Sequence, residues 1–550
     1  MTFLQPNEAT RLLVGVVALV VVLVPSGLGS AATRVLYVDR GNPSCSDAGT
    51  GSPVKPFCTI GAAAGRVTAG QTVRVGAGTY PEMVTVATSG TAKKPISFIT
   101  APGATVTVSG RTSGFVIAGE RWIRVQGFRV TNTRSYGIRV TDSAHITLKQ
   151  NRVSFSGMPV FRRTRTGIRL DNVTDSVVAG NTADHNTNFG IALINGSTRN
   201  DIRGNHAFEN ARGHIRAAAG IRLTSSPGNT VRGNISHHNE DSGIEAYAGS
   251  NNTLLYNNVA YDNGDHGIDN NKSTGQRIVA NTVYRNVTSG INVEGGSTGA
   301  TLRNNISVDN GIDSPRSRSN ISVDGASIPR TTLNYDLVHL TAPNQVLLIW
   351  DSTSYFSLAS FRDATKQEAR GIQADPLFAN PAARDFHLTA GSPAIDSANA
   401  TQVARDRLTT HRTAVGTVVV FRRVSGQPAT DADGNGRVDA PTPNTGVGPR
   451  PYDDRGAFEF QPDSPLAAVL TVKRSKGRVR RLVIANASRS RAPRLATYTF
   501  NFGDGSRVVG PRRSRRVAHI YRRRGTFIVR VTVRDTAGFS SRAQKTVRVR

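Results

Sequence analysis

Two stretches of this sequence carry the same polar pattern one repeat apart. Aligning NEDSGIEAY (239–247) with NGDHGIDNN (263–271) on their Gly-Ile pairs sets Asp241 over Asp265, two residues before the glycine, and Glu245 over Asp269, two after it. Carboxylates facing each other on neighbouring strands repel. A site that keeps them ionised normally supplies a cation, and oxygen ligands at about 2.3–2.6 Å suit Ca²⁺ better than any soft metal. Asn271 could add a carbonyl oxygen. Two alternatives stand beside the calcium cluster. The side chains could splay into water, where screening makes each pair cheap, or they could form a metal-free acid/base pair. Zinc would need His237, His238 and His266 to converge on a small tetrahedral shell, and these fall on different edges of the repeat. For a base the sequence offers Lys272, with no further lysine before Lys366, then the imidazole of His238, and Arg285, a difficult base. Arg216, Arg222, Asn271 and Glu294 are the candidate substrate contacts.

The elements that would position these groups follow from a repeat. NTADHN, NHAFEN, NISHHN, NVAYDN, NTVYRN and NISVDN begin at residues 181, 205, 234, 258, 281 and 305, in steps of 24, 29, 24, 23 and 24. Between them recurs a glycine followed by isoleucine, from Gly137-Ile138 to Gly290-Ile291. Short strands such as GIRL and GINVE alternate apolar and polar residues. One such coil cannot bury its own apolar edge, so coils must stack. Asparagines at equivalent turns would then bond from coil to coil. Leucine-rich repeats share the period but need more leucines and a helix-length stretch. A parallel β-helix over 33–325 is expected, with a small Ala/Gly-containing N-terminal cap near 60–70. The longer connections 156–167 and 209–220 bring Arg162, Arg163, Arg165, Arg212 and Arg216, which could flank a groove for an anionic polymer or be ordinary solvated loops.

The rest of the chain divides by composition. Arg11, the apolar run 12–24 and small residues to Ala32 read as a cleaved export signal at 1–32. That run is short for a bilayer core of about 30 Å, so no transmembrane segment is expected in the mature chain. In an exported protein Cys45 and Cys58 are expected to form a disulfide. Residues 326–464 lose the period and are read as an irregular extension or cap. Within them DADGNGRVD (431–439) copies the start of an EF-hand loop, but its twelfth position is Thr442 and helix signals are absent, so a turn is the better reading. Residues 465–550 alternate as a compact all-β module. From 466 to 550 stand 20 Arg and 3 Lys against Asp504 and Asp535, a net +21 out of +30 for the whole chain. Such charge draws anionic surfaces. Scarce aromatics among the charges argue against a dedicated nucleic-acid partner.

The opening YVDRGNPSCSDAGTGSPVKPFC and its continuation through the coils resemble secreted right-handed parallel β-helix proteins, a superfamily that includes pectate lyases. DPLFANPAARDFHLTAGSPAIDSA (375–398) and PYDDRGAFEF (451–460) resemble endings common in the same group. FNFGDGS followed by HIYRRRGTFIVRVTVRD resembles a PKD domain, an immunoglobulin-like β-sandwich. The fold class is therefore all-β, a right-handed parallel β-helix followed by a PKD-like sandwich. In its acidic motif the chain is most similar to polysaccharide lyase family 9. Asp241, Asp265 and Asp269 fit that family's calcium aspartates, while Ile268 replaces an aromatic residue and His266 stands where a second aspartate is usual. The family's lysine base is missing at its own position. The resemblance implies a secreted or cell-surface, monomeric protein acting on an acidic polysaccharide or anionic cell-wall polymer, with Ca²⁺-dependent β-elimination its most concrete reaction. A noncatalytic adhesin or structural glycan binder, and a glycoside hydrolase or uronate epimerase, are the alternatives.

Overall fold

A computed structural model describes residues 35–549 except 159–164, 212–217, 313, 315–318, 402–408, 414–415, 421–427, 441, 462–467, 475–481, 491–495 and 536–539. The export signal read at 1–32 lies outside the described residues, as do Arg162, Arg163, Arg212 and Arg216. Each coil contributes one short strand to each of three sheets, and each sheet has 12 strands. The first runs from Val35–Val38 to Thr332–Asn334, the second from Gly78–Tyr80 to Ile372–Gln373, and the third from Val84–Val86 to Thr353–Tyr355. All pairings in these sheets are parallel but for the last one in the third. In the third sheet the isoleucine of each Gly-Ile marker sits directly over its neighbour from Ile138 to Ile291, with Ile321 of Asn320-Ile321 next in the column, and every one is fully buried. The preceding glycine is dictated by closeness. A Cβ on Gly243 would lie 2.7 Å from the Gly267 carbonyl, and one on Gly267 would lie 2.6 Å from that of Gly290.

The repeated asparagines form two continuous ladders inside the turns. In the first, the backbone N–H and side-chain amide of Asn181 both donate to Oδ1 of Asn205, and the same pair of bonds passes on through Asn234, Asn258, Asn281 and Asn305. The second joins the sixth positions from Asn186 to Asn310 in the same way. Buried amides in these turns would otherwise lack partners, a cost of about 1–3 kcal/mol each. The parallel sheets continue past residue 325, where the readable repeat stops. The reason is a change of residue type in the ladder. Asp336 Oδ1 accepts from both nitrogens of Asn305, and the Asp336 N–H donates to Glu368.

The stack is closed at both ends. The helix Ile60–Ala64, N-capped by Thr59, covers the first coil, with the Cys45–Cys58 disulfide beside it. The helix Leu358–Thr365 covers the last, with Phe361 set edge-on to Trp350 and Tyr355. Residues 378–460 do not cap an end. Phe386, Leu388, Ile395 and Phe458 pack on the outer face of the second sheet, against Val259, Tyr261, Tyr284, Ile306 and Val308. Buried Arg455 pins this arm, donating to the carbonyls of Ser397, Asp336 and Arg370. The C-terminal module is a sandwich of a three-stranded and a four-stranded antiparallel sheet around Tyr498, Phe500, Val529 and Val531.

One inward position departs from the apolar rule. Asn270 faces the core between Ala246 and Val293, 1% exposed, and neither of its amide atoms has a hydrogen-bond partner. Replacing it by valine, the residue of the next coil, should stabilise the solenoid by about 1–3 kcal/mol. Chemical denaturation of wild type and Asn270→Val, followed through the solenoid's own transition, measures this.

Candidate metal centre

Alternation along the third sheet decides which side chains reach its outer face. In the strand Ile268–Asn271, Ile268 and Asn270 point inward, so Asp269 and Asn271 point outward. The column through Asp269 reads Arg139, Arg169, Ala192, Arg222, Glu245, Asp269, Asn292 and Ser322, one residue per coil. Cations therefore give way to carboxylates along one continuous face, at about 4.8 Å per coil. Glu245 pairs in register with Asp269, and the Asp265 N–H donates to the Asp241 carbonyl in the turn leading into the sheet.

These carboxylates are largely withdrawn from water. Glu245 and Asp269 are each 5% exposed and Asp265 is 2% exposed. Asp269 Oδ1 accepts from the Asn292 amide at 3.0 Å, and Asp265 Oδ1 accepts from the Thr288 hydroxyl at 2.5 Å. Arg222 Nη1 lies 2.9 Å from Glu245 Oε2, yet it is out of line for a hydrogen bond and leaves that buried oxygen without a donor. The Asn271 amide donates to Glu294 at 2.6 Å, while Asn271 Oδ1 is buried with no donor. Ligand atoms of His266, Asp269 and Glu294 all lie within 4.8 Å of one another. This is a tighter set than the four acids read from the alignment. His266 Nδ1 lies 2.8 Å from the Thr288 hydroxyl and 3.3 Å from the Ser289 nitrogen, which ties the ring to the same turn as Asp265.

Electrostatics agrees with crowding of negative charge. Burial, and then the charges of Asp241, Asp265 and Glu294, push the Glu245 carboxyl up to about 7 against the opposing pull of Arg222. Burial, then Glu245 and Glu294, raise Asp269 well above the usual carboxylate range. The donor set suits a hard divalent cation. It is rich in oxygen, it includes the buried Asn271 Oδ1 that has no donor, and it carries negative charge that a cation would relieve. Without a cation, the folded chain holds the Glu245 proton more tightly than the unfolded chain does. Stability should therefore fall as pH rises from about 4.5 through about 7. Calcium should offset that loss, so its upward shift of the unfolding midpoint is expected to be larger at about pH 8 than at about pH 5. Thermal unfolding with calcium or chelator at the two pH values checks the sign.

The remaining residues named from sequence are distributed as follows. Arg222 lies over the rings of Phe189 and Tyr247, at 5.0 and 4.4 Å from their centroids, beside the carboxylates. Lys272 is exposed just beyond Asn271, its Nζ 5.9 Å from the Tyr247 centroid. His238 and Arg285 stand elsewhere. Both occupy the corner after the second sheet, in the left-handed region at φ 51° and 49°. There they belong with Asp262, which lies 3.9 Å from His238 and is held at 2.7 Å by Arg384. His237 Nδ1 lies 2.7 Å from His238 Nδ1, while His266 belongs to the carboxylate group, so the three histidines share no shell. Of the four substrate contacts, Arg222, Asn271 and Glu294 adjoin the cluster, and Arg216 is outside the described residues. Sequence reasoning missed Thr288 and Asn292, which orient Asp265 and Asp269. Their signal is the register one coil further on. A cavity of about 440 Å³ lined by Phe155, Met158, His185 and Glu209 shares no residue with the cluster.

Comparison with known proteins follows this geometry. Residues 104–216 and 214–328 match the model of the right handed beta helix region, and residues 464–550 match the PKD domain. The uncharacterized protein YwoF of Bacillus subtilis (strain 168) is 28% identical over 454 residues, covering 65% of this chain and 92% of that protein. Among solved structures, pectate lyase Pel9A superposes with a TM-score of 0.45 at 17% identity, over 79% of this chain and 98% of that one. XylC in complex with xylose gives 0.45 at 12%, over 56% and 75%. The fold is a right-handed parallel β-helix with a C-terminal PKD domain. Among the described residues no helix is long and apolar enough to cross a membrane.

Proposed function

We propose that this chain is a secreted, carbohydrate-active β-helix protein that cleaves acidic uronide polymers by calcium-dependent β-elimination. One observation carries the reading: a face of the third sheet on which Arg139 and Arg169 and, beyond Ala192, Arg222 lead to the buried Glu245 and Asp269. A polymer bearing a carboxylate on each sugar matches a row of guanidinium groups that ends at a cation site.

Asp269 and Glu294, with His266, would hold the ion, with Glu245, Asp265 and Asp241 alongside and the Asn271 carbonyl oxygen as a neutral ligand. Calcium held there would neutralise the uronate carboxylate and so acidify the C5 proton. Thr288 and Asn292 fix the carboxylates that face it. Arg222, its plane supported by Phe189 and Tyr247, holds the carboxylate of the adjoining sugar. Lys272, exposed at the edge of the same strand, would take that proton as its neutral amine while the C4–O bond breaks and solvent protonates the departing chain. The apolar leader and the disulfide support export.

The test is incubation of the protein with a panel of acidic polysaccharides, with calcium or with chelator, followed by the ultraviolet absorbance of unsaturated products. Calcium-dependent absorbance is expected. Polymer binding without product would replace the lyase reading by a glycan-binding one.

A further inference from the structure

The four-stranded sheet of the PKD domain has one face in the core and one in solvent. Tyr498, Phe500, Val529, Val531, Val533, Val547 and Val549 fill the core. The alternate positions face outward, and the register sets Asn501 beside Arg530 beside Gln544, Thr499 beside Thr532 beside Arg542, and Thr497 beside Arg534. Arg530 and Arg534 are four residues apart, about 13 Å along the strand, and Arg542 lies across from the residue midway between them. Three guanidinium groups thus form a triangle on a flat carpet of Thr, Asn and Gln. All three arginines are exposed, and none has a carboxylate partner among the described residues. Arg530 donates to Gln544. The nearby acid, Asp504, is committed to His519 at 2.7 Å.

Like charges at this spacing, in a module of net +21, oppose folding, so the arrangement calls for an external anion. Arginine pairs two-pronged with carboxylate, and the amides and hydroxyls between the arginines suit a hydroxyl-rich chain. No outward position of these strands carries an aromatic residue on which a base or a neutral sugar could stack. We propose that this face docks a uronate polysaccharide, independently of the solenoid's groove; the choice of polymer rests on the lyase reading. Tethering one polymer at two places raises its effective concentration at the solenoid.

The test uses the full chain carrying Asp269→Asn in chelator, so that nothing is cleaved, and measures retention on immobilised polygalacturonate. Adding Arg530→Ser, Arg534→Ser and Arg542→Ser should weaken binding about tenfold, while the equally charged change Arg507→Ser, Arg513→Ser and Arg523→Ser should weaken it less than about threefold. Equal losses from the two triples, or no loss from the first, overturn the proposal. So does displacement of the polymer by duplex DNA at lower concentration, which would make nucleic acid the partner. Product formation by wild type is scored separately. Docking without product sinks the lyase reading alone, and product with an inert face triple sinks the docking alone.

Discussion

Replacing Asp269 by asparagine should abolish calcium-dependent cleavage while leaving the fold intact. Burial and the neighbouring carboxylates raise the Asp269 carboxyl well above its usual range, so without a cation the site favours its neutral form more than water does. Asparagine mimics that form in size and can keep the contact with Asn292 by turning its carbonyl oxygen to the donated amide. Thermal stability in chelator is therefore expected to equal or exceed that of wild type. The loss appears only with calcium, because the charge that the ion must meet is gone. Removing the charge stabilisation of a metal site is worth several kcal/mol in the transition state, so kcat/KM on the cleaved polymer should fall by at least about 10³-fold. Calorimetry should show calcium uptake lost in parallel. An Asp269→Asn protein that binds calcium as tightly as wild type would remove Asp269 from the site.

The largest effect on stability is expected at Arg455, far from this chemistry. Its guanidinium is 3% exposed, and burial brings its pKa down to about 10, which still leaves it charged at neutral pH. It donates to three backbone carbonyls and faces the buried pair Asp336 and Glu368, with the Tyr335 ring 5.5 Å away. Burial raises both carboxyls, and the Asp336 charge beside it helps take Glu368 well above its usual range. Arg455→Met keeps most of the volume but strands those carbonyls and removes the cation beside the pair. Breaking a buried ionic contact by deleting one partner costs about 3–5 kcal/mol. The arm 378–460 should then lift from the second sheet, seen as new proteolytic cleavage within it and a lower unfolding midpoint. A variant with wild-type protease resistance would show that Phe386, Leu388 and Phe458 hold the arm without help.

What could be read from sequence was whatever repeats. The Gly-Ile markers reveal the third sheet because glycine is the residue that lets neighbouring backbones touch, and they carry the pairing of Glu245 with Asp269 with them. The asparagine ladder is equally legible up to Asn305. It disappears at Asp336 and Glu368, where the same hydrogen-bonding place is taken by a different residue type, so the last coils looked irregular. His238 and Arg285, base candidates by residue type, lie on a different corner from the carboxylates. A left-handed bend at that position ties them to Asp262, and no alignment of side-chain types shows it. The docking of 378–460 also had a signal that went unused. Tyr261, Tyr284 and Val308 stand at outward positions in successive coils, where earlier coils have Thr131, Ser154 and Asp184.

The Asn ladder also has a direction. Every rung from Asn181 to Asn305 gives two protons forward and receives two from behind, so a whole coil could be duplicated or deleted within that stretch and each junction would heal. Asp336 can receive but its side chain has nothing equivalent to pass on, which makes it a terminator. Growth or shrinkage of such a protein by gene duplication is therefore open in its interior and closed beyond residue 336, and the distance between the arginine row and the acidic cluster is the dimension that such events would alter.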